Sequence, residues 1–120
     1  MVRAETYRAL SASERQILDR LLGVSFSGRE ELRQQLADPG VRILDEYDSI
    51  ELRPKRQAIA PIGKTVPVEA EAPDADGIMI RYLLFVRDGL AYELQIYKDD
   101  GSPIIRRPEA ADLTVVVLPD

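Results

Sequence analysis

Acidic side chains are the residues of this chain whose types and spacing could do chemistry. They gather at three predicted turns, which hold Asp45, Glu46, Asp48 and Glu51; Asp74 and Asp76; and Asp99 and Asp100. Carboxylate oxygens are the ligands that Mg²⁺ and Ca²⁺ prefer in proteins. Carboxylates also attract basic protein surfaces and accelerate the encounter with them. The chemistry open to these turns is therefore cation binding, carboxylate catalysis or recognition of a basic partner.

The second turn, Asp74-Ala75-Asp76-Gly77, does not match a calcium-binding loop. It lacks the later ligands and the terminal glutamate that such a loop requires. Aspartate and glycine are also the ordinary residues of solvated turns. We therefore predict no metal site and no cofactor, and we keep a divalent-cation site at an acidic turn as the alternative.

Catalysis is restricted by what the composition lacks. The chain has no cysteine and no histidine, which excludes thiol chemistry and removes the commonest general base near neutral pH. A carboxylate pair could still hydrolyse a glycosidic bond, with Glu93 as the candidate acid. That residue, however, alternates with apolar positions and is expected on the solvated face of a strand. The sequence predicts no catalytic residue and favours a protein that is not an enzyme.

Charge and hydropathy indicate which partners to expect. The net charge of −5 works against binding to nucleic acid or to anionic lipid. There are two basic clusters, Arg53-Pro54-Lys55-Arg56 and Arg106-Arg107. They could neutralise the phosphates of a single-stranded nucleic acid, but we interpret them as solubilising loops. No window approaches the roughly 18 apolar residues of a membrane span, and the N-terminus does not resemble a secretory signal. We expect a cytoplasmic protein without a nucleic-acid or membrane partner.

The first forty residues carry the signals of a helical hairpin. Ser11-Ala12-Ser13-Glu14 is a capping box, and the stripe that follows it ends at Gly23. Ser27-Gly28-Arg29-Glu30 repeats the pattern, and Pro39-Gly40 ends the second helix. The apolar positions of the two predicted helices are Ile17, Leu18, Leu21 and Leu22, then Leu32 and Leu36.

Beyond residue 40 the sequence predicts strands. The segments 78–86 and 90–97 flank Arg87-Asp88-Gly89, which is typical of a β-hairpin, and the first of them is expected to be central and packed on both faces. Further strands are predicted at 41–44, 49–53 and 113–118. The weaker candidates 57–62 and 66–72 contain prolines and are expected at sheet edges or in loops. The apolar positions of the second hairpin strand alternate as Leu90, Tyr92, Leu94 and Ile96.

These elements define the predicted fold. It is one α+β domain over residues 1–120, in which the N-terminal helical hairpin packs on a mainly antiparallel β-sheet arranged as a meander. A chain of this length buries enough surface to fold without disulfides or a structural metal.

Three segments carry a family resemblance. They are the helix-cap segment around Ser11-Ala12-Ser13-Glu14, the turn Asp76-Gly77-Ile78-Met79-Ile80, and the run Glu93-Leu94-Gln95-Ile96-Tyr97-Lys98, which leads to Ser102-Pro103. Together they resemble a family of small uncharacterised bacterial domains. The resemblance spans most of the chain, and it implies no activity.

Two functional hypotheses remain at this point. The leading one is a non-enzymatic protein-interaction module, of which an immunity-like inhibitor that masks a basic active site is one form. Its expected partner is an unidentified protein, and a homodimer through the edge strand at 113–118 is a further expectation. The alternative is a small carboxylate- and metal-dependent enzyme or ligand-binding domain. The predicted partner-binding residues are Asp45, Glu46, Asp48, Asp99 and Asp100.

Overall fold

The first helix begins where its capping box predicts. In the computed structural model, which describes residues 6–56 and 58–119, α1 spans Ala12–Leu21. The Ser11 hydroxyl accepts from the amide of Glu14, and the Glu14 carboxylate accepts from the amide of Ser11 at 2.9 Å. Leu18 and Leu21 are fully buried. The apolar stripe therefore faces the core as expected.

The second helix, α2, spans Arg29–Gln35, but its predicted cap is wrong. Gly28, in the left-handed region at φ 93°, is the N-cap, and no side chain caps this helix. A Cβ added to Gly28 would lie 2.6 Å from the Ile62 side chain. Because the 58–62 loop packs so closely against this position, the helix begins with the residue that tolerates both the contact and the positive φ.

The sheet is antiparallel throughout, and the α+β class is confirmed. Its strands lie in the order β1-β2-β5-β4-β3-β6. The consecutive strands β3, β4 and β5 form a meander, whereas β2 pairs with β5 and β6 pairs with β3. The central position of the β4–β5 hairpin agrees with the prediction. The strands are β1 (Gly40–Ile43), β2 (Ile50–Arg53), β3 (Val68–Pro73), β4 (Met79–Arg87), β5 (Leu90–Lys98) and β6 (Thr114–Val117).

The placement of 66–72 at an edge or in a loop is wrong, since β3 lies between β4 and β6. Its prolines avoid the hydrogen-bonding ladder. Pro67 precedes the strand and its carbonyl accepts from the amide of Leu118, while Pro73 is the last residue of the strand. The other weak candidate forms no strand over 58–62, and Gln57 lies outside the described residues.

The two faces of the sheet differ. On one face, alternate strand residues such as Leu84 and Leu94 pack with the leucines of both helices. The opposite face carries half-buried residues, and no helix of the described residues covers it, so the expectation that β4 packs on both faces is wrong. No helix of the described residues is long and apolar enough to cross a bilayer.

A β-bulge changes which residues of β5 face the core. The register shifts between Phe85 and Val86, so that Phe85 opposes Glu93 while Val86 opposes Ala91. Tyr92 is the extra residue. The predicted alternation of β5 therefore fails before Leu94, and both Tyr92 and Glu93 belong to the open face.

The two edges of the sheet are unequal. At β1, Arg8 forms a β-bridge with Val41, with backbone N···O distances of 2.9 and 2.7 Å. At the other edge, β6 pairs with β3 on one side and with no described strand on the other, and Val116 and Val117 are 39% and 40% exposed.

The homodimer through β6 stays a prediction. Light scattering of the purified chain tests it, since a mass of one chain at all concentrations would contradict it.

Gly89 fixes the central hairpin against α2. It has φ 76°, and its carbonyl accepts from the Gln35 side-chain amide at 2.7 Å. A Cβ at Gly89 would lie 2.6 Å from the carbonyl oxygen of Ala60, a backbone atom that cannot easily move. Gly101 has the same φ of 76° with nothing within 4 Å of its Cβ position.

This pair of glycines separates backbone strain from steric clash. We expect Gly101→Ala to lower the free energy of unfolding by about 1–2 kcal/mol through the positive φ alone. We expect Gly89→Ala to lower it by roughly 2 kcal/mol more, because the methyl group also displaces the 58–62 loop. Urea unfolding followed by circular dichroism measures both values. Equal losses for the two variants would show that the close approach at Gly89 does not matter.

Candidate functional site

Lys98 lies fully buried at the end of β5 and binds both acids of the second predicted turn. Its ammonium nitrogen is 2.8 Å from Asp74 Oδ2, 2.7 Å from Asp76 Oδ2 and 3.2 Å from the carbonyl oxygen of Pro103. The side chains of Lys98 and Asp74 have no exposed surface. The turn that could have bound a divalent cation is therefore neutralised by a cation of the chain itself.

Asp74 has three further hydrogen bonds that hold the following loop in place. Its carboxylate accepts from the backbone amides of Ala75, Ile105 and Arg106 at 2.7–2.9 Å. Burial acts to raise the pKa of Asp74, but Lys98 and these amides overcome it and hold the pKa well below its ordinary value. Burial likewise acts to lower the pKa of Lys98, and its two aspartates raise it instead. Both groups stay charged.

The two acids of the third turn have partners within the chain. Arg81 donates to both carboxylate oxygens of Asp99, at 2.7 and 2.9 Å, and to Glu71 at 2.6 Å. The Arg81 guanidinium lowers the pKa of Asp99. Asp100 accepts from the hydroxyl and the amide of Ser102, and these bonds lower its pKa. The structure therefore gives Asp99 and Asp100 roles in the geometry of the turn.

The first turn lies beside the third. The Tyr47 hydroxyl donates to the carbonyl of Ser102 at 2.8 Å, which joins the two turns. Asp45 accepts from the amides of Tyr47 and Ser49, and Asp48 pairs with Arg107 at 3.2 Å. Glu46 is exposed and forms no ion pair among the described residues. The structure thus brings the five predicted residues to one end of the sheet, and it leaves Glu46 the least engaged of them.

A second group of acids lies on the open face, where the sequence analysis proposed no binding site. Glu51 of β2 and Glu93 of β5 are directly opposed in the register. Glu51 accepts from the Tyr7 hydroxyl and from Arg42, at 2.6 and 2.7 Å, and these contacts lower its pKa. Glu93 has no such partner in the described part of the chain. Burial and the charges of Asp45 and Glu51 raise its pKa.

Apolar and aromatic groups surround Glu93. The rings of Phe85 and Tyr92 are 5.9 Å apart, and the Arg87 guanidinium lies 4.4 Å from the Tyr92 ring centroid. Leu90 and Leu44 contribute to a shallow depression of about 490 Å³ beside Glu93. We call this set of Leu44, Glu51, Phe85, Leu90, Tyr92 and Glu93 the open-face site. The bulge that turns Leu90 and Tyr92 to this face has no signal in the sequence, so the site was not predicted even though Glu93 was expected on the solvated face of its strand.

The acidic side chains of the described residues do not converge on one point. Within the described residues, no group of three or more histidine, cysteine, aspartate or glutamate side chains could hold a metal ion. Asp74 and Asp76 already share the Lys98 ammonium group.

Fold and contacts together define a small α+β domain with one helix-covered and one open sheet face. The chain belongs to the family described as "Domain of unknown function (DUF6984)", whose model matches residues 7–108. This confirms the resemblance to an uncharacterised domain family, while bacterial origin stays a prediction. The match ends before β6 begins. No curated protein and no solved structure matches the chain.

The buried ion pair leads to a prediction about stability. Asp74→Asn removes the charge that compensates Lys98, and we expect the melting temperature to fall by about 10 °C or more, because an uncompensated buried charge is strongly unfavourable. The control is Asp19→Asn, which affects a 64% exposed carboxylate paired with Arg15 at 3.3 Å. That variant should melt within about 2 °C of the wild type. Thermal unfolding at pH 7 measures both.

The pH dependence of this difference follows from the lowered pKa of Asp74. In the unfolded chain aspartate titrates near pH 4, so the folded state binds fewer protons than the unfolded state below that pH. The stability that Asp74 contributes is therefore complete above about pH 4 and decreases as the pH falls further. The difference in melting temperature between wild type and Asp74→Asn should therefore become smaller as the pH falls from 5 to 2.5. A constant gap over this range would contradict the assignment.

Proposed function

We propose that this chain is a protein-interaction module whose open-face site binds a basic protein surface. The observation that carries the proposal is Glu93, a half-buried carboxylate opposite Glu51 and without a cationic partner among the described residues. Like charges directly opposite one another destabilise a sheet. A lysine or arginine of a partner would neutralise this arrangement, so binding would remove an unfavourable interaction of the free chain.

The apolar groups of the open-face site support the same proposal. Phe85, Tyr92 and Leu90 give a contact area that includes two aromatic rings, and aromatic side chains are enriched among the residues that dominate binding energies. They lie on a face that no helix covers. An apolar contact next to an unpaired carboxylate fits a partner that presents a basic side chain beside an apolar one.

The acidic turns contribute to the proposal unequally. Asp45 is near enough to Glu93 for its charge to raise the Glu93 pKa, so the first turn borders the open-face site. Glu46 has no ion pair to break among the described residues. Asp48, Asp99 and Asp100 are engaged within the chain, and we propose that they act through their charge, which attracts a basic partner over a distance. A basic active site masked by an immunity-like inhibitor is one surface of this kind.

The test compares two charge reversals of the same size. Glu93→Lys changes the open-face site, whereas Glu109→Lys changes an exposed acid that begins the 3-10 turn Ala110–Asp112 next to α1. Immobilised wild type and both variants are incubated with host extract. We then purify a protein that binds wild type and Glu109→Lys but does not bind Glu93→Lys. We expect its affinity to fall at least tenfold for Glu93→Lys and to decrease with salt.

Hydrogen exchange of the complex then locates the contact. The proposal requires new protection in residues 85–93. Protection confined to α1 and α2, equal loss of binding for the two variants, or identical sets of retained proteins would contradict it.

A further inference from the structure

A cavity on the helix-covered side of the sheet receives the hydroxyl group of a tyrosine whose ring is otherwise buried. Tyr82 is 1% exposed, and its hydroxyl forms no hydrogen bond with any described residue. No polar side-chain atom that is sealed from solvent lacks a partner in the described part of the chain. The Tyr82 hydroxyl therefore opens into the cavity of about 250 Å³ that Tyr82 lines. A tyrosine that buries its ring usually directs its hydroxyl to a hydrogen-bond partner, and here that partner would have to come from the cavity, which makes the cavity a candidate ligand site.

Hydrogen-bond donors surround this cavity, which we call the α1 cavity. Arg8, Arg107 and the first turn of α1 all line it. The amides of Ala12 and Ser13 have no acceptor among the described residues, as expected for the first turn of a helix. The helix dipole adds a partial positive charge at the same place. Burial raises the pKa of Tyr82, and the charge of Arg107, which lines the same cavity, acts in the opposite direction.

The cavity also contains two carboxylates, which differ in how firmly they are held. Both oxygens of Glu14 accept from Arg8, at 2.8 and 2.9 Å, and one also accepts from the Ser11 amide. Asp48 meets Arg107 through a single contact of 3.2 Å, with side chains 53% and 42% exposed. Exposed pairs of this kind contribute little stability. Arg107 can therefore exchange Asp48 for a ligand, whereas Arg8 and Glu14 stay paired.

We propose that the α1 cavity binds the oxyanion group of a small molecule, a carboxylate or a phosphoryl group, between the Tyr82 hydroxyl, the Arg107 guanidinium and the first turn of α1. Guanidinium groups and helix N-termini are the donors that proteins commonly use for such anions. The cavity volume suits the anionic end of a ligand. This site is on the other side of the sheet from the open-face site and does not depend on the function proposed above.

The experiment titrates the ¹⁵N-labelled chain with inorganic phosphate and, separately, with acetate. Sodium chloride at the same ionic strength is the reference. We expect saturable shifts of the Ala12 and Ser13 amides and of the Arg107 side-chain Nε–H with at least one of the two anions. Saturation with phosphate alone identifies a phosphoryl site, and saturation with acetate alone identifies a carboxylate site.

Four variants test the assigned residues. Arg107→Gln and Tyr82→Phe should each weaken binding about tenfold. Tyr82→Phe should fold normally because the hydroxyl bonds to none of the described residues. Asp48→Asn should strengthen binding several-fold, since it frees Arg107. Arg106→Gln removes the neighbouring exposed charge and should change the affinity less than twofold. Shifts that do not exceed those with chloride, wild-type affinity in Tyr82→Phe, or equal losses for Arg106→Gln and Arg107→Gln would overturn the proposal.

Discussion

The ion pair between Lys98 and Asp74 is the constraint on which one end of this molecule depends. Two charges without solvent exposure are tolerated only when further hydrogen bonds compensate for lost hydration. Here the compensation comes from three backbone amides and a carbonyl that belong to the β3–β4 turn and to the loop after β5. The pair and the loop therefore require each other, and the loop in turn carries Arg107 and the carbonyl of Ser102 into position beside the first turn.

Local patterns predicted much of the fold. The capping box at Ser11 and the Asp88-Gly89 turn involve residues close in sequence, and both are as predicted. The errors arose where tertiary context decides. Prolines at 67 and 73 suggested an edge or a loop, yet they flank an internal strand without disturbing its ladder. The bulge opposite Phe85 depends on how two strands pair, and no residue type marks it.

The candidate sites were less predictable than the fold, for the same reason. Counting acids located the three turns, but only the structure shows which carboxylates are compensated. Lys98 and Asp74 are 24 positions apart, and Tyr47 bonds to Ser102 across 55 positions. Glu93 and Tyr82 look like ordinary strand residues in sequence. Neither has a hydrogen-bonding or ionic partner among the described residues, and only the three-dimensional structure shows this.

The β-bridge between Arg8 and Val41 limits how copies of this sheet can associate. It occupies the outward backbone groups of Val41 in β1, so among the described residues β6 is the edge strand that offers continuous free backbone to an approaching strand. Fibre growth by sheet extension needs two open margins on every copy, one to receive and one to donate. A sheet with one margin closed can add a single neighbour and then stops. The bridge at Arg8 thus disfavours open-ended polymerisation through β1.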